Sequence, residues 1–261
     1  MTPILPCPRC GQEPTQTMTW TGVTVACRPC DVTCFRFWTS RDRARATLAK
    51  VRSEWNANAR KIATTTLPFA ILFVGAEGQG KTTLARDTDA RLRAQGVRLQ
   101  EMIHEVARDV LVRMNTDLAT LRASDALTNE YQEQVFVRQF EEEKARGFRN
   151  YVTDRGPDNL AYLAEHGSAL DHVLSKYHGQ IGTYRGHVRA SVVFHVTPAL
   201  DVRPDGTRVV TTSNEVHRID AMIKFLLASW SVRPYQLRSA NHAERMIMIS
   251  NVIRDRAGIT I

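Results

Sequence analysis

The sequence predicts an α/β fold in which helices flank a parallel sheet of about five strands, with a small cysteine-rich unit in front. Two observations carry this prediction. The apolar run 69–74 leads directly into a glycine-rich loop and an amphipathic helix, an order typical of the first strand of a parallel sheet. All five cysteines lie between Cys7 and Cys34. We therefore expect a cysteine-rich unit over 1–62, a linker over 63–67 and an α/β domain over 68–261.

The composition is that of a globular protein, because 43% of the 261 residues are hydrophobic and 24% are charged. The longest apolar stretch is far shorter than the ~20 residues of a membrane span, and the N-terminus lacks the charged-then-apolar profile of a signal peptide. We therefore expect neither a membrane protein nor a secreted one. A cytoplasmic location is the expectation, and clustered cysteines there favour metal binding over disulfides.

The positive charge is concentrated near the N-terminus. The formal net charge is +8, and residues 1–66 hold ten Lys and Arg against four Asp and Glu. A polyanionic partner such as nucleic acid is one interpretation of this excess. Ordinary solubility is the other, and composition does not decide between them.

The cysteines form two Cys-x-x-C pairs with the spacing of a zinc ribbon. Cys7 pairs with Cys10 and Cys27 with Cys30, with sixteen residues between the pairs. Each pair can hold a metal ion from one tight turn, and the intervening segment 20–25 is predicted as part of a β-hairpin. Four thiolates leave no open position for water, so we expect a structural Zn²⁺. The remaining Cys34 is expected to be a small buried residue.

A basic helix is predicted over 39–61, with Ala44, Leu48, Val51 and Trp55 on one face towards the ribbon and arginines on the solvent side. The pattern Pro6 to Gly11, the second cysteine pair and Trp55-Asn56 together resemble the zinc ribbons of the phage restriction-alleviation protein family. That resemblance covers about sixty residues. It implies a viral or mobile-element origin, without a transferable function.

A phosphate-binding loop follows the apolar strand. Residues 75–82 have the pattern Gly-x-x-x-x-Gly-Lys-Thr, as expected for a P-loop NTPase fold. Backbone N–H groups of such a loop bind the β-phosphate, Lys81 reaches the β- and γ-phosphate oxygens, and Thr82 ligates Mg²⁺. We therefore predict binding of ATP and Mg²⁺. The predicted nucleotide-binding residues are Gly75, Gly78, Gly80, Lys81, Thr82 and Thr83.

A second motif at 154–158 favours phosphoryl transfer over other nucleotide chemistry. The sequence has no Asn-Lys-x-Asp motif for guanine, and the strand 151–153 ends in Asp-Arg where a motor ATPase has Asp-Glu. The Asp154 carboxylate can hold Mg²⁺ or orient an acceptor hydroxyl, while Arg155 neutralises charge on the transferred group. An alternative stays open, in which Asp154 only caps the helix that begins near Pro157.

The sequence resembles a group of small P-loop kinases that includes thymidylate kinases, nicotinamide-riboside kinases and phage relatives. The resemblance is carried by the glycine-rich loop, the Asp-Arg motif, residues 104–108 and Gln139. The resemblance covers roughly residues 68–250. It implies that Glu105, Arg108 and Asp158 contact the acceptor, although an exposed helical Glu-Arg pair is the alternative for Glu105 and Arg108. It also implies that Arg208 belongs to a lid and acts in catalysis, although this segment is poor in arginine.

The remaining elements complete the predicted sheet and cleft. Strands are predicted at 191–196 and 246–249, and His195 within the former is interpreted as a core residue. A helix over 129–146 offers Tyr131, Val135 and Phe140 either to stack a base or to pack the core. The segment 177–189, rich in Gly, His and Arg, is predicted as a mobile loop.

The combined prediction is an ATP-dependent kinase acting on a hydroxyl of a nucleoside-like acceptor. Among the relatives that the resemblance names, phage kinases of 5-hydroxymethyluracil in DNA fit best, since a zinc ribbon and a basic helix suit a DNA partner. Two alternatives remain: a kinase of free deoxynucleotides or nicotinamide riboside, and a DNA-stimulated ATPase or nucleic-acid-binding module.

Overall fold

The computed structural model describes residues 3–7, 12–18, 22–27, 32–37, 44–104, 106–199 and 212–261. The chain divides into two compact units. The first comprises Met1–Thr66, Ala90–Arg98 and Ile261, and the second comprises Leu67–Asp89 and Leu99–Thr260. Within the described ranges no helix has the length and apolarity needed to cross a membrane.

The first unit contains a three-stranded antiparallel sheet and a long helix. The strands are β1 (Thr15–Met18), β2 (Gly22–Cys27) and β3 (Val32–Phe37), in the order β1-β2-β3. Helix α1 spans Ala44–Thr64, so it ends three residues beyond the predicted end at Lys61, and its predicted first residues lie outside the described ranges. Its Val51 and Trp55 are buried, as predicted, in a small core with Cys7 of the N-terminal segment and Val23, Val25 and Cys27 of β2.

Polar groups of α1 hold the N-terminal segment in place. The indole Nε1 of Trp55 donates to the carbonyl oxygen of Leu5 at 2.9 Å. The Asn56 amide accepts from the Leu5 N–H at 2.8 Å and donates to the Pro3 carbonyl oxygen at 2.9 Å. These bonds place Cys7 against the same core as Cys27. Cys10 and Cys30 lie outside the described residues, and among the described ones no group of three metal-binding side chains occurs.

The second unit is built on a parallel sheet of four strands in the described part of the chain. They are β4 (Ile71–Val74), β5 (Val152–Thr153), β6 (Val192–Val196) and β7 (Tyr235–Leu237), in the order β5-β4-β6-β7. The prediction was about five strands. Beside β5, Ile103 forms an isolated parallel bridge with Thr153. The central strands β4 and β6 are fully buried, which explains their continuous apolar sequences.

Helices pack around this sheet. In chain order they are α2 (Lys81–Ala94), α3 (Val106–Arg113), α4 (Leu118–Arg122), α5 (Asp125–Ala145), α6 (Asp158–His166), α7 (Leu170–Lys176), α8 (His178–Ala190), α9 (Ser213–Ser229) and α10 (His242–Ala257). The helix predicted at 129–146 begins one turn earlier, because the Ser124 hydroxyl caps it by accepting from the Leu127 N–H.

The predicted strand at 246–249 is wrong, since these residues lie within α10. Met246 and Ile249 are buried, whereas Ile247 is 62% exposed, so the apolar run follows helical and not strand periodicity. The helix is capped at both ends. The Asn241 side chain accepts from two N–H groups of the first turn, and Gly258 ends the helix in the left-handed conformation with φ 69°.

The predicted mobile loop at 177–189 is also wrong, because this segment forms α8. Tyr184, His187 and Val188 recur at helical spacing and are all buried. The glycines that suggested a loop lie on the open side of the helix. A Cβ atom added at Gly179, Gly182 or Gly186 would have no neighbouring atom within 4 Å.

A buried polar network joins α5 and α8 to the residue before β5. The Glu143 carboxylate is fully buried. Its Oε1 accepts from Tyr184 at 2.8 Å and Gln139 at 2.6 Å, and its Oε2 accepts from Tyr151 at 2.7 Å and lies 2.7 Å from His187 Nε2. Burial and the negative charge of Glu143 raise the pKa of both tyrosines far above the ordinary value, so both hydroxyls stay protonated and donate.

His195 on β6 is a core residue, as predicted. It is fully buried, with Nδ1 2.9 Å from Gln236 Oε1 and Nε2 2.8 Å from Asp220 Oδ1. Burial alone would raise the pKa of Asp220, but its contacts with His195 and Lys224 hold that pKa below the ordinary value. These contacts join β6 to its neighbour β7 and to helix α9.

Candidate active site

The glycine-rich loop connects β4 to α2, and its backbone needs glycine. Gly78 and Gly80 have φ of 75° and 84°, in the left-handed region that glycine adopts without strain. At Gly75 a Cβ atom would lie 2.5 Å from the carbonyl oxygen of Val196, so any side chain would clash with the neighbouring strand. The loop therefore has the geometry of a phosphate cradle at the N-terminus of a helix.

Lys81, the first residue of α2, folds back over this loop. Its Nζ donates to the carbonyl oxygens of Gly75 at 2.6 Å and Ala76 at 2.8 Å. Burial lowers the pKa of Lys81, and the nearby carboxylate of Asp158 opposes this effect. The ammonium group thus lies at the concave side of the loop, where it can contact phosphate oxygens.

Thr82 and Asp154 meet at the carboxyl edge of the sheet. Strands β4 and β5 are parallel neighbours, so the loops that follow them come together. The Thr82 hydroxyl donates to Asp154 Oδ2 at 2.5 Å. Asp154 is 6% exposed, and its Oδ1 has no hydrogen-bond partner among the described residues. A hydroxyl and a carboxylate with an unused oxygen fit the ligand preference of Mg²⁺.

The segment after β5 holds Arg155 beside two carboxylates. Burial opposes the charge of Arg155, but Asp158 and Asp154 together raise its pKa above the ordinary value. Gly156 is required here, because a Cβ atom would lie 2.6 Å from Val74 Cγ1. Pro157 is the N-cap of α6, and no side chain caps this helix. The alternative interpretation of Asp154 as a mere helix cap is therefore wrong.

A cavity of about 430 Å³ begins at this loop and extends between α3, α4, α5 and α6. One half is lined by the phosphate-binding loop, Lys81, Thr82, Asp154 and Arg155. The other half is apolar and aromatic with a few polar groups. Its described lining residues are Ala107, Arg108, Leu111, Leu118, Leu121, Arg122, Thr128, Tyr131, Gln132, Val135, Tyr162 and His166. Such a chamber can hold a phosphoryl donor at one end and an acceptor at the other.

Most predicted site residues that the structure describes line this cavity. They are Gly78, Gly80, Lys81, Thr82, Thr83, Arg108, Asp154 and Arg155. Gly75 and Asp158 are not among the lining residues; Gly75 shapes the loop, and Asp158 is fully buried, with Oδ1 accepting from the Gly156 N–H at 2.8 Å. Glu105 and Arg208 lie outside the described residues. Of the predicted base-stacking side chains, Tyr131 and Val135 line the cavity, whereas Phe140 packs in the core against Phe136, Phe148 and Tyr184.

Sequence reasoning missed two groups of residues around the site. Arg122, Tyr162 and His166 line the cavity; the helical spacing of Tyr162 and His166 from Asp158 was a usable signal. Arg245 is 3% exposed, and its Nη1 donates to the carbonyl oxygen of Gln79 in the glycine-rich loop at 2.7 Å. No sequence signal indicated Arg245, because its position only becomes clear once α10 is known to be a helix.

Known proteins share sequence or structural similarity with this chain. A family model described as AAA domain matches residues 70–245. A solved shikimate kinase from Acinetobacter baumannii in complex with shikimate is 12% identical, with a TM-score of 0.43, covering 76% of this chain and 97% of that one. The NadR protein in complex with NR is 13% identical, with a TM-score of 0.53, covering 84% of this chain and 61% of that one. No curated protein matches significantly in sequence.

At such low identity, the likeness to NadR shows the fold alone, a P-loop kinase-like α/β fold. The family match spans the glycine-rich loop, the Asp-Arg motif and Arg245, and it covers more than half of the sequence. The chain therefore belongs to the AAA domain family of P-loop proteins.

Proposed function

We propose that this protein is an ATP-dependent kinase that transfers the γ-phosphoryl group to a hydroxyl of a nucleoside-like acceptor. The observation that supports it is the two-ended cavity. Its loop end presents Lys81, Thr82, Asp154 and Arg155, and its other end offers aromatic and apolar walls. A simple NTPase has no need for a second, apolar end, whereas a kinase has to bind an acceptor and keep water away from the transferred group.

Each of these residues has a separate role in an in-line phosphoryl transfer. Lys81 binds the oxygens around the bond that breaks, and Thr82 and Asp154 are positioned to hold Mg²⁺, which neutralises phosphate charge when bound. Asp154 Oδ1, which has no partner among the described residues, is available to accept a hydrogen bond from the acceptor hydroxyl. Arg155 neutralises charge as the phosphoryl group moves. No covalent intermediate is needed, because positioning and charge supply most of the catalysis.

The favoured acceptor is the 5-hydroxymethyl group of 5-hydroxymethyluracil in DNA, a step in thymidine hypermodification by phages. The support comes from the sequence: a cysteine-rich basic unit suited to phosphate backbones precedes the kinase-like domain, and the motifs resemble such phage kinases. An enzyme of this kind has to expose the base, and Tyr131 and Tyr162 line the cavity that would receive it.

The test is a transfer assay with γ-labelled ATP and four acceptors in parallel: hydroxymethyluracil-containing DNA, ordinary DNA, free deoxynucleotides and nicotinamide riboside. The expected result is label in the modified DNA alone, with a rate that falls steeply as salt is raised, because phosphate contacts release counterions. Label only in a small molecule would refute the DNA acceptor and identify a metabolite kinase. Release of inorganic phosphate without a labelled acceptor would place the protein among DNA-stimulated ATPases and refute the kinase proposal.

The proposal includes a structural Zn²⁺ held by Cys7, Cys10, Cys27 and Cys30. Cys7 and Cys27 pack in the same small core, which supports their binding one ion together. We expect about one zinc ion per chain by native mass spectrometry. Cys10→Ser should lower this zinc content and the thermal stability of the first unit, whereas Cys34→Ser should leave the zinc content unchanged. Zinc-free wild-type protein that binds DNA with full affinity would contradict the assignment.

A further inference from the structure

The acceptor half of the cavity combines apolar walls with basic side chains. Among its described lining residues, Arg108, Arg122 and His166 are basic and none is Asp or Glu. The carboxylates that line the cavity, Glu77 and Asp154, belong to the phosphate-binding half. Basic groups set among leucine, valine and tyrosine side chains can bind an anion through charge-assisted hydrogen bonds.

Arg122 and His166 are brought together by one carboxylate. They come from the last turns of α4 and α6, and Glu215 lies in the first turn of α9. Glu215 Oε1 lies 3.0 Å from Arg122 Nη2 and 3.1 Å from His166 Nε2. Arg122 and His166 line the cavity and Glu215 does not, and the Glu215 side chain is 10% exposed, against 33% for Arg122 and 21% for His166.

The contact with Glu215 leaves part of the Arg122 guanidinium for a second partner. A guanidinium has five N–H donors in a planar fork, and the contact with Glu215 involves only Nη2. The other N–H groups can bind two oxygens of a phosphate. Tyr162 lies beside His166, with ring centroids 6.2 Å apart, and gives the site a flat wall.

We propose that Arg122 and His166 form a specificity site for a phosphate group carried by the acceptor, with Glu215 as the residue that positions them. This inference rests on the proposed function, because that function identifies this half of the cavity as the acceptor half. It excludes a neutral nucleoside as the preferred acceptor. The phosphate belongs either to a nucleoside monophosphate or to the backbone of a nucleic acid, and both present the same oxygens.

The test compares three acceptors that share one base: 5-hydroxymethyl-2′-deoxyuridine, its 5′-monophosphate and a trinucleotide with this base in the centre. Binding to the full-length protein is measured by calorimetry, and label transfer from ATP is measured separately. We expect the phosphate-bearing acceptors to bind at least about tenfold more tightly than the nucleoside, as one charge-assisted bidentate contact provides. Preference for the monophosphate or for the trinucleotide identifies the source of the phosphate.

Arg122→Gln should raise the Kd and KM of the phosphate-bearing acceptors about tenfold, with the KM for ATP and the Kd of the nucleoside within about twofold of wild type. Arg122→Lys keeps the charge and loses the planar fork of N–H donors. Its Kd for the phosphate-bearing acceptors should lie between those of wild type and Arg122→Gln. Arg138→Gln is the matched control, since it removes an arginine that pairs with Glu142 on α5 outside the cavity. A purely structural role of Arg122 would weaken all three acceptors equally.

The outcomes separate the two proposals. Equal affinity for all three acceptors, or equal losses for all acceptors in Arg122→Gln, would refute the phosphate site while leaving the kinase proposal intact. Binding that depends on Arg122 without label transfer to any acceptor would refute the kinase proposal and support the anion site. Selective binding and selective transfer, both reduced by Arg122→Gln, would support both.

Discussion

Asp154→Asn is expected to abolish phosphoryl transfer while leaving nucleotide binding nearly unchanged. Asparagine has the same shape and can still accept the Thr82 hydroxyl bond of 2.5 Å. It lacks the negative charge that holds Mg²⁺ and the basicity that orients an acceptor hydroxyl. We expect kcat to fall by about 10³, the range found when one group that acts on the transition state is removed. The affinity for ATP should change less than about threefold.

The measurement pairs the label-transfer assay with calorimetric titration of ATP in the presence of Mg²⁺. Asp255→Asn is the control, because this carboxylate is 73% exposed near the end of α10. Lys81→Ala should differ from Asp154→Asn by weakening ATP binding itself, since Lys81 lies over the phosphate cradle. Full transfer activity in Asp154→Asn would overturn the catalytic assignment of Asp154.

A titration with Mg²⁺ then separates the two roles of Asp154. If the carboxylate mainly holds the cation, high Mg²⁺ should restore part of the activity of Asp154→Asn. If it mainly orients the acceptor through Oδ1, activity should stay low at every Mg²⁺ concentration. Because Oδ2 is already bound to Thr82, Oδ1 is the oxygen that either role would use.

The phosphate-binding half of the site was predictable because its chemistry is local. A buried strand, positive-φ glycines and a helix N-terminus follow one another within a short stretch, and each needs particular residues for steric reasons. The pairing of Thr82 with Asp154 was also within reach, since both follow strands of one parallel sheet. Local sequence thus determined the donor half of the cavity.

The acceptor half was not predictable, because it is assembled over long sequence distances. Arg122 and Glu215 are 93 positions apart, and no local pattern links them.

The apolar run 246–249 failed as a strand prediction because four apolar residues fit a strand or a helix equally well. The true edge strand, Tyr235–Leu237, has three residues with a polar one in the middle, so it gives no hydrophobic signal.

Glu143→Leu is expected to cause the largest loss of stability in the second unit. The substitution removes the common acceptor of Tyr151, Tyr184, Gln139 and His187, all of which are at most 6% exposed. Each of these side chains, including His187 with Nε2 at 2.7 Å from Oε2, would then be buried without this partner. Removing the shared partner of several buried polar groups costs about 3–5 kcal/mol, so the melting temperature should drop by roughly 10 °C.

Glu141→Leu provides the matched control on the same helix. Glu141 is 55% exposed and forms a pair with Lys144 at 3.5 Å, so its loss should change the free energy of unfolding by less than about 0.5 kcal/mol. Tyr184→Phe removes a single hydrogen-bond donor and should lower the free energy of unfolding by about 1 kcal/mol. Equal melting temperatures for the Glu143 and Glu141 variants would show that the network does not hold α8 to α5. Because Gln139 also contacts Thr153, beside Asp154, loss of the network should lower transfer activity even where the protein stays folded.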